Sequence, residues 1–394
     1  METGKWIRNS HFDNLWPDNP LSFWNISEKG IPVSITWSKC YFEDYLKLSD
    51  EYYYAGIKIV NEVIHAGHDN LKDDSWFLAG IFMFRQAIEL VIKARIYSLI
   101  HNKREIQSIL IEDKHDLSSL FLRIKKLNGI SNMSYINLNW LDTYLKDLNE
   151  LDSNSTVFRY PLDVKFLSKN PPKFVDVYRT SVKMDLAYSL LRSIFNDGKS
   201  FSDNLPTVLP KPKFFSIAKN GIGNCYLVHP NSFSRYYLMI NGYLSVSEFL
   251  LSNHIGCESK RLYFPEMFSI RQLLELELKQ LVSSEYSEIA NLKIRHQSHK
   301  IYTDFWTKLN PVINNYGDSS NILNNISGFI ELFQKIDNSG DFFRYPSSYS
   351  HEYHTLIRPI DPINILSCVR SITNLFEGCD AMFYDYAELE QNML

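Results

Sequence analysis

The chain has 394 residues, enough for two or three domains at about 100–200 residues each. Hydrophobic residues make up 45%, charged residues 22%, and the net charge is -4. That composition excludes a disordered chain and a protein whose whole surface grips nucleic acid, leaving only a local basic groove open. The five cysteines (Cys40, Cys225, Cys257, Cys368, Cys379) are odd in number and show no CxxC, which fits reduced thiols. The start, METGKWIRNS, has no apolar core of a secretory signal. The longest clean apolar stretch, Trp76 to Phe84, is well short of the ~20 residues that span a bilayer. A cytoplasmic protein without a membrane segment is the expectation.

In chain order, residues 1–40 are rich in Trp, Pro and Asn and are expected to form an arm that packs by its aromatics. An amphipathic helix is expected over about 41–66. A second helix over 77–100 carries Phe77, Ile81, Phe84, Ile88, Val91 and Ile92 on one face. Further helices are expected from His115 to about Leu127, over 136–151 and over 175–197. Residues 201–262 read as a connector. Pro206, Pro210 and Pro212 mark extended chain, Cys225 to Val228 a strand, and Asn241-Gly242 between two apolar runs a β-hairpin. Helices resume over about 265–284, 299–310, 321–336 and 361–378.

The later helices echo the earlier ones. Arg85-Gln-Ala-Ile-Glu89-Leu-Val-Ile-Lys93 matches Arg271-Gln-Leu-Leu-Glu275-Leu-Glu-Leu-Lys279. His115-Asp116-Leu117 matches His299-Lys300-Ile301, and the loop DSNSTVFRYP (152–161) matches DNSGDFFRYP (337–346). Three landmarks in the same order, 184 to 186 residues apart, point to two diverged copies of one helical unit. The expected organisation is an arm (1–40), a first repeat (41–200), a connector with a small antiparallel β-hairpin or sheet (201–262) and a second repeat (263–394). The fold class is mainly α.

This ordered set of landmarks resembles the HEPN domain, over about 240 residues. The resemblance implies two tandem HEPN-like helical bundles that pair across a cleft, within the chain or as a homodimer. It also implies one of two functions. Many members are metal-independent endoribonucleases of toxin–antitoxin and phage-defence systems; others are non-catalytic and bind a partner protein or a nucleotide. The nuclease motif is an Arg followed after four to six residues by a His. Arg344 and His351 stand at that spacing, with Tyr345 where a smaller polar residue is usual. Arg159, followed by Tyr160, is not followed by a His in the first repeat.

Metal-free RNA cleavage needs a base for the 2′-OH and a cation for the phosphorane-like transition state. His351 and Arg344 are the catalytic candidates for those roles, and the implied partners are single-stranded RNA and an antitoxin or defence protein. Arg159, Tyr160, Tyr345, His115, His299, Glu89 and Glu275 are the candidates for a supporting or composite cleft. Each has a plainer reading. The two arginines suit loop ion pairs, His115 and His299 suit helix starts, and the two glutamates suit pairing with basic neighbours inside the bundle. Residues 93–126 hold eight Lys/Arg against four acids, which suits a solvated face as well as an RNA groove. The pairs His65/His68, His296/His299 and His351/His354 lack a third ligand, so no metal is expected, and no nucleotide-cofactor fingerprint is present. Asn220-Gly-Ile-Gly-Asn224 precedes a strand rather than a helix and does not suit a phosphate cradle.

Overall fold

The structure, a computed structural model, describes residues 14–28, 30–67, 69–130, 133–161, 169, 173–195, 206, 208–227, 236–254, 262–295, 297–317 and 320–393. It is mainly helical, with one two-stranded antiparallel sheet among the described residues. The chain forms two compact units. The first contains Thr36–Phe233 and Arg344–His354; the second contains Met1–Ile35, Ser234–Phe343 and Thr355–Leu394.

The first unit is built around two long helices, α1 (Tyr41–Ala66) and α2 (Phe77–Leu99). A π-helical turn, Lys72–Trp76, leads into α2. Nearly every residue of α2 is buried, the pattern of a helix surrounded by protein on all sides. Lys72–Leu99 is long and apolar enough to cross a membrane, yet 94% of that window is buried inside the molecule. Glycines let α1 and α2 approach closely. A Cβ at Gly56 would lie 2.9 Å from the Phe84 ring, and one at Gly80 would lie 3.0 Å from Val60.

Helices α3 (Lys103–Asp113), α4 (Leu117–Lys126), α5 (Tyr135–Leu151) and α6 (Val177–Arg192) complete the first unit. Each starts on a side-chain cap. Asn102, Asp116, Ser134 and Asp176 accept from backbone N–H groups two or three residues on, satisfying donors that a helix start leaves unpaired. Strand β1 (Phe174–Val175) pairs antiparallel with β2 (Cys225–Tyr226), setting Phe174 against Tyr226.

The second unit holds α7 (Tyr237–His254), α8 (Tyr263–Leu281), α9 (Ser287–Ala290), α10 (Thr307–Asn314), α11 (Ser320–Ile336) and α12 (Pro362–Asn392), with a π-helical turn at Ile301–Trp306. The described part of the arm packs here by its aromatics, as expected. Phe23 is fully buried, with its ring 5.3 Å from Phe329 and 5.2 Å from Phe333. Asp361 caps Ile363 at 3.0 Å and also accepts from Ser27 N at 2.8 Å, tying the arm to the start of α12.

The hairpin expected at Asn241-Gly242 is instead the middle of α7. Buried Tyr236, Met239, Ile240, Tyr243, Val246 and Leu250 recur at three and four residues, the helical period rather than the alternating one. Asn241 turns its amide back to the Tyr237 carbonyl at 2.9 Å. The sheet partner of Cys225–Tyr226 therefore comes from residues 174–175, before the connector. Val228, the expected end of that strand, lies outside the described residues.

Candidate functional site

The Arg-Gln-x-x-Glu helix places Arg85, Glu89 and Lys93 one turn apart on α2, where i and i+4 side chains meet. Glu89 is fully buried. It pairs with Arg85 and, at 2.6 Å, with Lys93. His115, at the approach to α4, brings Nδ1 within 3.0 Å of the same carboxylate, so Nδ1 carries the proton by this bonding pattern. Arg85 also donates to the His115 carbonyl at 2.7 Å and faces the Asp152 carboxylate at 3.3 Å. Asp152 in turn accepts from Thr156 and Val157 N–H at 2.8 and 3.1 Å. One arginine thus joins the helix, the His turn and the Asp-Ser-Asn loop.

The second unit repeats the arrangement. Glu275 takes Arg271 at 3.1 Å, Lys279 at 2.8 Å and His299 Nδ1 at 2.9 Å. Arg271 donates to the His299 carbonyl at 2.6 Å, with Asp337 4.0 Å from its Nε. Asp337 accepts from Asp341 and Phe342 N–H at 2.9 and 3.1 Å. The expectation that both glutamates pair with basic neighbours inside the helices is met.

Burial alone would raise the Glu89 carboxyl, but Lys93, His115 and Arg85 outweigh it and hold the group well below the usual carboxylate range. For Glu275 burial acts the same way and is outweighed by His299, Lys279 and Arg271. Burial pushes the Lys93 ammonium down, with Glu89 opposing. It also pushes His115 below its ordinary value, again against Glu89.

Arg344 and Tyr345 belong to the first unit and join its group. Tyr345 donates its hydroxyl to Glu89 at 2.6 Å and accepts from Arg344 Nη2 at 3.0 Å. Lys93 sits over the Tyr345 ring at 4.6 Å. Arg344 is 2% exposed. Its guanidinium donates to Gln86 Oε1 at 3.1 Å and to Ser155 Oγ at 3.1 Å, while Gln86 donates back to the Arg344 carbonyl at 3.0 Å. Arg159 is buried as well. Its Nε donates to the Ser155 carbonyl at 2.6 Å. Its guanidinium lies 5.2 Å from the Tyr160 ring. Both arginines stack on Phe82, at 5.8 Å for Arg159 and 5.7 Å for Arg344. The two Arg-Tyr-Pro landmarks thus meet around Ser155 and Phe82.

His351 has a different setting. It sits at φ 62°, a left-handed conformation uncommon for a side-chain-bearing residue. Its carbonyl accepts from Tyr41 Oη at 2.5 Å. Its ring meets Tyr41 edge-on at 5.3 Å and Tyr97 at 5.8 Å. Nε2 is buried without a hydrogen-bond partner, and burial with nearby Lys103 lowers the ring's pKa. Arg344 and His351 share no bonding partner among the described contacts. His354 bonds the Tyr345 carbonyl at 2.9 Å, while His68 and His296 lie outside the described residues. Among the described residues no cluster of His, Cys, Asp and Glu has the arrangement of a metal site.

Much of the basic run at 93–126 is taken up internally. Lys93 holds Glu89, Arg95 the Gly129 carbonyl, Arg123 Asp113 and Glu112, and Lys125 Asp142. Sequence reading did not single out Gln86 and Ser155 as site residues, although Gln86 stands inside the repeated Arg-Gln motif and Ser155 inside the repeated loop. It also passed over Asn149 and Gln334, 185 residues apart. Asn149 accepts from Leu117 N–H at 3.0 Å and Gln334 from Tyr302 N–H at 2.7 Å.

The chain matches no family model, no curated protein and no solved structure.

Proposed function

We propose that this chain is a tandem HEPN-like protein that works by binding a partner protein or a nucleotide rather than by cleaving RNA. The observation that carries the reading is Arg344: its guanidinium is 2% exposed and bonded to Gln86, Ser155 and Tyr345. A cation that stabilises a phosphorane-like transition state has to reach the phosphate. His351, edge-on to two tyrosines, is not oriented by a carboxylate in the way His115 is.

The second reading is a metal-independent endoribonuclease effector of the toxin–antitoxin or phage-defence kind. It is favoured by the convergence of Arg159 and Arg344 on Phe82 and Ser155, together with the Arg-x6-His spacing. One assay separates the two. The purified chain is incubated with end-labelled single-stranded RNA, with and without EDTA, beside His351→Ala. The binding reading expects intact RNA in every lane. Cleavage to 2′,3′-cyclic phosphate ends that survives EDTA and vanishes in His351→Ala would establish the nuclease instead.

A further inference from the structure

A cavity of about 690 Å³ opens beside the two-stranded sheet of the first unit, within the ~300–1,000 Å³ typical of small-molecule sites. It shares no lining residue with the Glu89 group. Its lining includes Asn70, Asp74, Phe174, Gly221, Asn224 and Tyr226. Phe174 and Tyr226 are cross-strand partners with ring centroids 5.1 Å apart, so the sheet register itself builds an aromatic wall. The loop that closes the cavity depends on two glycines. A Cβ at Gly221 would stand 2.7 Å from the Phe174 ring. Gly223, at φ 64°, would put one 2.7 Å from the Gly67 carbonyl oxygen.

Charge narrows the ligand class. Asp74 is the one carboxylate in the lining, and no Lys, Arg or His lines the cavity. The carboxylate is held in place by the Tyr226 N–H, 2.6 Å from Oδ1. Asn224 spends its amide N–H groups on the Ile222 carbonyl at 2.8 Å and the Asn220 carbonyl at 3.2 Å, so what its side chain offers a ligand is an acceptor oxygen. The nearby ammonium of Lys72 is engaged with Glu62 at 2.6 Å and lies over the Trp76 ring. Burial raises the adjacent Cys225 thiol, and the negative charges of Asp74 and Asp73 raise it further. Aromatic faces, a carboxylate and amide oxygens attract cations, and nothing in the lining would offset the charge of a phosphate or carboxylate ligand.

We propose that this cavity binds a small organic cation, an amine or guanidinium on a short carbon chain, with its charge at Asp74 and its body against Phe174 and Tyr226. The site uses none of the residues on which the HEPN-like reading rests, so either can fail without the other.

The test is titration calorimetry of the full chain with agmatine, putrescine and choline, with adenosine monophosphate as the anionic control. At least one cation should bind, and the anion should not. Asp74→Asn keeps an oxygen for the Tyr226 N–H and removes the charge. It should weaken cation binding at least about tenfold, the usual size of a lost charge-assisted contact. Tyr226→Leu, which keeps the strand and removes the ring, should weaken it as well. Thermal melts without ligand establish that both variants fold. Failure of all three cations to bind the wild-type chain, or equal affinity in a folded Asp74→Asn variant, would overturn the proposal.

Discussion

The two buried glutamate groups are wired alike but begin their following helices differently. Around Glu89, the chain enters α4 through His115 and Asp116, and Asp116 caps Ser119 N–H at 2.8 Å. Around Glu275, Lys300 stands where Asp116 stands and makes no side-chain cap. The chain there takes a π-helical turn over Ile301–Trp306 before α10 begins. Gln334 compensates by accepting from both Tyr302 and Thr303 N–H, at 2.7 and 3.1 Å. The contacts that recur use groups both sequences retain: the His ring, the His carbonyl and the Arg-Glu-Lys ladder. The helix start diverged where a neighbouring side chain could take over the unpaired N–H groups.

The strongest way to break this equivalence is to remove the anion. Glu89→Gln keeps the shape and leaves Arg85 and Lys93 buried without their counter-charge. Breaking a buried pair in this way costs roughly 3–5 kcal/mol. Urea unfolding, with hydrogen exchange on α2, should register a loss of that order. Glu275→Gln should cost a similar amount, read on α8. A cost near zero at either site would mean that one group only looks like the other.

Tyr345→Phe probes what the Arg344–His354 segment adds to the Glu89 group. It deletes the hydroxyl that donates to Glu89 and accepts from Arg344. Leaving buried polar groups short of a partner costs about 1–3 kcal/mol. A double-mutant cycle with Gln86→Ala should show coupling, because both side chains hold Arg344.

Acid separates the groups by sign. The Glu89 and Glu275 carboxyls are depressed in the fold, so their stabilisation is full above the ordinary carboxylate range and is lost as pH falls through the depressed values. His115 is also depressed. The unfolded chain takes its proton first, and stability starts to fall as pH drops past about 6.5. Burial raises Glu277 on α8 well above the ordinary value, as do Glu377 and Asp380 nearby. Its effect therefore runs the other way, with stability lost as pH rises out of the carboxylate range. Replacing His115 with Gln should flatten the urea midpoint of α2 between pH 7 and 5. An unchanged slope would assign that sensitivity elsewhere.

The smallest expected effects lie at the helix starts. Asp116→Ala should cost about 1 kcal/mol, the usual worth of an N-cap, measured on α4. Lys300→Asp should gain less than about 0.5 kcal/mol, because Gln334 already serves the N–H groups that a new cap would take. A full capping gain at Lys300 would show that Gln334 does not substitute for the missing cap.

Much of the α-helical plan was legible in the residues, because periodicity and capping are local. The expected 41–66 helix coincides with α1, and the repeated landmarks mark both glutamate groups. Arg85, Glu89 and Lys93 pair because a helix turn sets residues four apart side by side, whatever surrounds them. Asp152 and Asp337 close their loops onto N–H groups four and five residues ahead, another short-range geometry. Where the answer depended on distant chain, local pattern misled or was silent. Asn241-Gly242 has the chemistry of a turn, yet the apolar residues around it bury at helical spacing, and the strand at 225–226 found its partner at 174–175. Arg344 and His351 look paired at seven residues' separation, but Arg344 is bonded to Gln86, 258 residues away, while His351 stacks on Tyr41. Sequence spacing sets which side chains share a helix face; only the path of the chain decides what a loop arginine meets when it is buried.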